Sequence, residues 1–118
     1  MTAESRRFLF LQGNASWFFK RLGAALAKRG HGVWRINICG GDWWFWGDWN
    51  AEDFNGPPSA IGGYAGQVMD REAITDVILH NDTRRVHLDT IREAGHRGIT
   101  PWVFEEGYLR PHWLTLEA

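Results

Sequence analysis

A chain of 118 residues with a formal net charge of −1 has room for one core, of a size that buries roughly 65 to 70% of its unfolded surface, and lacks the basic excess that a nucleic-acid backbone demands. Its Lys and Arg residues are scattered rather than striped, so no nucleic acid is expected. The single Cys39 excludes an internal disulfide framework and reads as a small apolar residue in a reducing compartment, while the apolar run from Phe8 to Leu11 is too short for a signal-peptide core or a membrane span, which points to the cytoplasm.

Arg7 to Leu11 is a short apolar run that breaks at Gly13-Asn14, the pattern of a strand buried on both faces. A helix is predicted next. Ser16 is a plausible N-cap, Phe18, Phe19, Leu22, Ala25 and Leu26 recur at helical spacing, Lys28 and Arg29 suit the negative helix end, and Gly30 stops it. Gly32 to Ile38 reads as a second strand, so the first forty residues form a right-handed βαβ unit of a parallel sheet. The Gly13-Asn14-Ala15-Ser16 turn between strand and helix is where backbone N–H groups can hold a phosphate or carboxylate. It carries no GxGxxG fingerprint, and a plain connecting loop fits it as well.

From Cys39 to Ser59 neither period is readable. The chain has eight tryptophans, five of them between Trp34 and Trp49, and this Gly-, Asp- and Trp-rich stretch reads as one long loop ending in Pro57-Pro58. Two readings stand side by side. Indole faces such as Trp44 and Trp46 could stack on a sugar or lie against lipid with Asp42 and Asp48 bonding hydroxyls, or the aromatics could simply cover a sheet edge.

Ala60 to Arg71 is a glycine-weakened helix with Ile61, Tyr64, Ala65 and Val68 on one side. Thr75 to Asn81 is the clearest strand, Arg84 to Gly95 a helix with Val86, Leu88, Ile91 and Ala94 as its apolar face, and Gly98 to Glu105 the next strand. This order predicts a single three-layer, Rossmann-like α/β domain over residues 1–118, with about four parallel strands and helices on both faces.

Both later strands end in polar clusters, His80-Asn81-Asp82-Thr83-Arg84 and Glu105-Glu106-Gly107, which the βαβ rule puts on one carboxyl edge with the Gly13 turn. His80, Asp82 and His87 could be read as metal ligands of a small hydrolase, but their spacing matches no strongly specified motif; Asp82 serves equally as a helix N-cap, and no metal is expected. Glu105 and Glu106 fall on opposite faces of a continuing strand and so take different jobs, one facing a cation such as Arg84 or Arg110, the other facing the crevice as nucleophile or general base.

Three stretches together resemble one family. FLFLQG with WFFKRLGAALAKRGHGVWRINICGGDWWFW, then HNDTRRVH, then VFEEGYLRPHWLTLE are similar to the N-terminal part of bacterial capsule polysaccharide biosynthesis and export proteins, the retaining β-Kdo glycosyltransferases. The resemblance implies half of a two-domain, GT-B-like transferase with CMP-Kdo as donor substrate and no further cofactor. It implies a phospholipid- or Kdo-terminated acceptor at the cytoplasmic face of the inner membrane, and other capsule assembly proteins as neighbours. Related modules carry Glu-Asp-Gly at the last motif, which makes Glu106 the implied nucleophile, Glu105 its orienting neighbour and Arg110 a clamp for a phosphate or sugar carboxylate. Asp82, Arg84 and His87 are the implied substrate-binding group, with Asn14, Asp42, Trp44 and Trp46 beside them. Two positions depart from the family pattern: Asn81 stands where glycine is common, and His112 where an aspartate follows Arg-Pro. The nucleotide-binding C-terminal domain is not in these 118 residues, so the chain alone is expected to be inactive, or to serve as a glycolipid-binding or scaffold module.

Overall fold

A computed structural model of the chain describes residues 5–11, 18–38, 46–47, 49–80, 85–105 and 108–111. Among them one sheet is built from β1 (Arg7–Phe10), β2 (Gly32–Asn37), β3 (Ala51–Asp53), β4 (Asp76–His80), β5 (Thr100–Glu105) and β6 (Tyr108–Pro111). The helices are α1 (Phe18–Lys28), α2 (Ile61–Arg71) and α3 (Arg85–His96), and a short 3-10 turn at Pro58–Ala60 leads into α2. The strand order is β3-β2-β1-β4-β5-β6. The first five strands are parallel, and β6 runs antiparallel to β5.

The fold is α/β and Rossmann-like, as expected, with two strands more than the sequence reading supplied. The order 3-2-1-4-5 is that of a doubly wound sheet. Its helices fall on opposite faces for a simple reason. The crossover through α1 moves from β1 toward one edge and the crossover through α3 moves from β4 toward the other, and two right-handed crossovers in opposite directions must use opposite faces.

Alternation within the strands sorts the side chains accordingly. Leu9, Leu11, Ile36, Val77, Leu79 and Val103 meet Ile61, Ala65, Val68 and Met69 of α2 and Ile91 and Ala94 of α3 in the larger core. Phe10, Val33 and Ile78 meet Phe19 of α1, with Leu22 and Leu26 packed alongside, in the second. Leu88, expected on the apolar face of α3, is instead exposed; the inward position beside it is taken by the fully buried Thr90.

α2 and α3 cross closely. A Cβ built on Gly62 would lie 2.8 Å from the Cβ of Asp89 in α3, a contact with no flexible side-chain end to swing away. Gly62→Ala is therefore expected to destabilise by about 1 to 2 kcal/mol, the overpacking cost exceeding the roughly 1 kcal/mol that alanine gains in helix propensity. Thermal melts should show Tm falling by several degrees, about 4 to 8 °C per kcal/mol for a domain of this size.

At the amino end of the sheet Asp76, 1% exposed, is held by three donors. Arg6 Nε donates to Oδ2 at 2.7 Å, the Thr75 hydroxyl to Oδ2 at 2.7 Å, and Trp102 Nε1 to Oδ1 at 3.0 Å. Burial pushes this carboxyl up, but the hydrogen bonds from Arg6, Trp102 and Thr75 together outweigh it and hold the pKa below its ordinary 3.8. A depressed folded pKa contributes stability that is present above the unfolded value and lost as pH falls through the folded one. Asp76→Ala is expected to cost about 1 to 3 kcal/mol at neutral pH, mostly from the stranded Trp102 and Thr75 donors, since half-exposed Arg6 can turn to water. Urea titrations of both proteins should show that gap narrowing once the pH is taken below about 3.8.

Candidate functional site at the carboxyl edge

In a doubly wound sheet the crevice for ligands opens where the strand order reverses, outside the carboxyl ends. Here that place lies between β1 and β4, whose residues Phe8, Leu9 and Phe10 pair with Asp76, Val77 and Ile78. Where β1 leaves the ladder, Leu11 has both backbone groups tied. Its N–H donates to the Ile78 carbonyl at 3.0 Å and its carbonyl accepts from Arg35 at 3.2 Å. β4 ends at His80 opposite Phe104 of β5, and β5 ends at Glu105 opposite Tyr108 of β6.

The backbone thus brings the ends of the two strands singled out in the sequence side by side on one edge. Glu105 is the last residue of β5, Arg110 sits in β6 paired with Val103, and His87 lies in the first turn of α3. Glu106, Asp82, Arg84, Asn14, Asp42 and Trp44 lie outside the described residues, as do the side chains of Glu105, His87 and Arg110. Among the described residues no group of three or more His, Cys, Asp or Glu could hold a metal ion.

Trp46 corrects the platform reading. Its indole is 2% exposed and belongs to the core on the α1 face. It packs on Phe10 at 5.2 Å between ring centroids and stacks with Trp49 at 5.7 Å and 27°, and its Nε1–H donates to the Trp49 carbonyl at 2.7 Å. A Cβ on Gly23 of α1 would lie 2.7 Å from this ring, so the helix makes room for it. A face so enclosed offers nothing for a sugar to stack on.

Around the ring lies a polar group that the sequence reading passed over. Arg35, 3% exposed, sits with its guanidinium carbon 5.1 Å from the Trp46 ring and donates from Nε to Asn37 Oδ1 at 3.0 Å. Asn37, 2% exposed, donates from Nδ2 to the Gly47 carbonyl at 3.0 Å. Lys20 of α1 donates to the Trp46 carbonyl at 2.8 Å and lies 5.9 Å from the Trp46 ring and 5.8 Å from that of Trp49. The signal was present: in GVWRIN the residues Val33, Arg35 and Asn37 share one face, so a strand buried on both sides turns a charge and an amide inward near its carboxyl end.

The segment carrying β4, α3, β5 and β6 is also the one that a family model matches. Residues 75–118 fit the model described as capsule polysaccharide biosynthesis protein. Over 116 residues the chain is 33% identical to the capsule polysaccharide modification protein LipB of Neisseria meningitidis, in both a serogroup A and a serogroup B strain. It is 27% identical over 114 residues to the capsule polysaccharide export protein KpsS of Escherichia coli. The chain is related to the capsule polysaccharide biosynthesis family. Each of these matches takes in 97% of this chain, which spans only 28% of LipB and 29% of KpsS. The resemblance seen in the three sequence stretches is thereby supported at the level of the family. No helix among the described residues is long and apolar enough to cross a membrane.

Proposed function

We propose that this chain is the N-terminal, acceptor-side part of a retaining glycosyltransferase that moves Kdo from CMP-Kdo to a phospholipid or Kdo acceptor in capsule assembly. The observation that carries the reading is the placement of β5. Within the family-matched segment it delivers Glu105 to the carboxyl edge beside β4, and the chain passes directly into Glu106.

In the proposed double displacement the Glu106 carboxylate attacks the anomeric carbon, the bond from that carbon to the phosphate oxygen breaks, and CMP leaves with the electron pair. The acceptor hydroxyl then attacks the same carbon, its proton passing to a neighbouring carboxylate such as Glu105, and the Glu106 ester bond breaks. Two inversions give retention. Arg110, with its planar fork, would clamp the donor phosphate or the sugar carboxylate, and Asp82, Arg84, His87 and Asn14 would bind substrate at the same edge. The nucleotide would be held chiefly by a partner domain, since the relatives are more than three times as long. Contact with the inner-membrane surface would come from the lipid acceptor.

The test is to supply the chain with a C-terminal half from such a relative, add CMP-Kdo and a lysophospholipid or Kdo acceptor, and follow product and intact protein mass. Transfer with retention, together with a protein adduct one Kdo heavier when acceptor is withheld, is the expected result. Glycolipid binding with neither product nor adduct would replace this reading with a non-catalytic binding module.

A further inference from the structure

We propose that the outer side of α1 is a docking surface for an anionic phospholipid bilayer. The near-zero net charge hides an uneven distribution: residues 5–41 hold seven of the 13 Lys and Arg and none of the 14 Asp and Glu. Four of the seven are engaged within the fold. Arg6 pairs with Asp76, Arg7 pairs with Glu72, Arg35 is buried against Trp46, and the Lys20 amine donates to the Trp46 carbonyl. Arg21, Lys28 and Arg29 remain. All three are exposed, and among the described residues no carboxylate pairs with any of them. Cations elsewhere on the fold are treated differently, since Arg71, Arg92 and Arg97 each lie against a carboxylate.

Helix geometry puts two of the three in line. At about 100° per residue Lys28 falls within about 20° of Arg21, with the exposed Ala24 and Ala25 to either side of that line. Phe19, Gly23 and Leu26 take the opposite side, toward Trp46 and the sheet. Arg29 follows in the turn that ends the helix, its N–H bonded to the Leu26 carbonyl at 3.1 Å. The two alanines between the cations carry no group that would fix a small anion by hydrogen bonds. Unpaired cations spread over about 10 Å of helix, with only small side chains between them, fit a flat layer of phosphate headgroups, against which their stems lie while the charges reach outward. Among the described residues α1 is also the one helix on its side of the sheet, so neither α2 nor α3 screens it. Three cations orient a protein on a bilayer rather than anchor it, since stable attachment takes a second signal.

The surface rests on charge and exposure, not on the transferase reading, and it is tested without donor or acceptor. Cosedimentation of this chain with phosphatidylglycerol vesicles at low salt measures the contact, with phosphatidylcholine vesicles for comparison. Partition onto the anionic vesicles alone is expected, with release near about 1 M salt, where the Debye length shrinks to about 3 Å. Arg21→Gln, Lys28→Gln and Arg29→Gln should each lower the partition about fivefold, and the triple variant on the order of a hundredfold. Arg92→Gln removes the same charge from a paired residue of α3 and should change it by less than about twofold. Gadolinium-chelating lipid in the vesicles should broaden the amide signals of residues 21–28 in preference to those of α2 and α3. Equal partition onto phosphatidylcholine, a loss with Arg92→Gln as large as with Lys28→Gln, or broadening centred on α2 or α3 would each overturn the proposal. So would a triple variant that keeps its vesicle contact but loses binding to a relative's C-terminal part or to duplex DNA, which would make the face a protein or nucleic-acid surface. The substituted side chains are exposed and glutamine is a good helix former, so the triple variant is expected to melt like the parent. If the complemented enzyme shows no transfer while the vesicle pattern holds, the transferase reading fails and the docking surface stands.

Discussion

Glu106→Gln is expected to lower transfer by the complemented enzyme by a factor on the order of 10⁴ or more, and to abolish the covalent adduct. The amide keeps the size of the carboxylate but lacks the charge and the lone-pair reactivity that attack on the anomeric carbon needs. Glu105→Gln is the informative comparison. As an orienting neighbour and proton acceptor it should lose roughly 10²-fold in kcat, with the adduct still forming and turning over slowly. Rate measurements beside intact mass spectrometry distinguish the two roles. If the adduct survives Glu106→Gln and disappears with Glu105→Gln, the assignment within the pair is reversed, and if both variants leave the rate unchanged the double displacement at this edge is wrong.

Trp46→Ala is expected to cost the fold about 3 to 5 kcal/mol, a large share of the stability of a domain this size. The loss has three sources. The ring fills the space between Phe10, Gly23 and Trp49, its removal leaves a cavity that α1 cannot close without moving, and the cation–π contacts with Arg35 and Lys20 go with it. Urea denaturation monitored by circular dichroism would measure it. A change below about 0.5 kcal/mol would mean that the indole is a surface group after all.

What the sequence made legible follows from range. Strand β4 could be read from TDVILHN because a strand buried on both faces writes its burial into consecutive residues. Strand β3 could not. Ala51-Glu52-Asp53 has no apolar pattern, and it is a strand because β2 offers it backbone partners in register, Arg35 with Ala51 through Asn37 with Asp53. Its Glu52 is then fastened by donors from other elements: the indole of Trp34 at 2.8 Å, the hydroxyl of Tyr64 and the guanidinium of Arg71. None of these is a neighbour in sequence. β6 was missed for a like reason, being paired only through β5.

The site divides along the same line. The shared edge of the β4 and β5 ends was readable from the βαβ rule, since that rule is topological and needs no side-chain detail. The burial of Trp46 was not, because it depends on an indentation in a helix twenty-three residues earlier, at Gly23. Arg35 was hidden in plain view, because a charge inside an apolar strand reads as noise until the end of β1 beside it is seen to need a donor.

The antiparallel pairing of Glu105 with Tyr108 fixes a length. Only two residues, 106 and 107, join these partnered positions, the shortest connection common between antiparallel strands. In the transferase proposed above, a nucleophile at position 106 would be tied to paired strands by one residue on one side and two on the other, and would give up little freedom when put to use. On that proposal a residue inserted between positions 105 and 108 is expected to lower transfer sharply, since a misplacement of about 1 Å can already cost a hundredfold in rate.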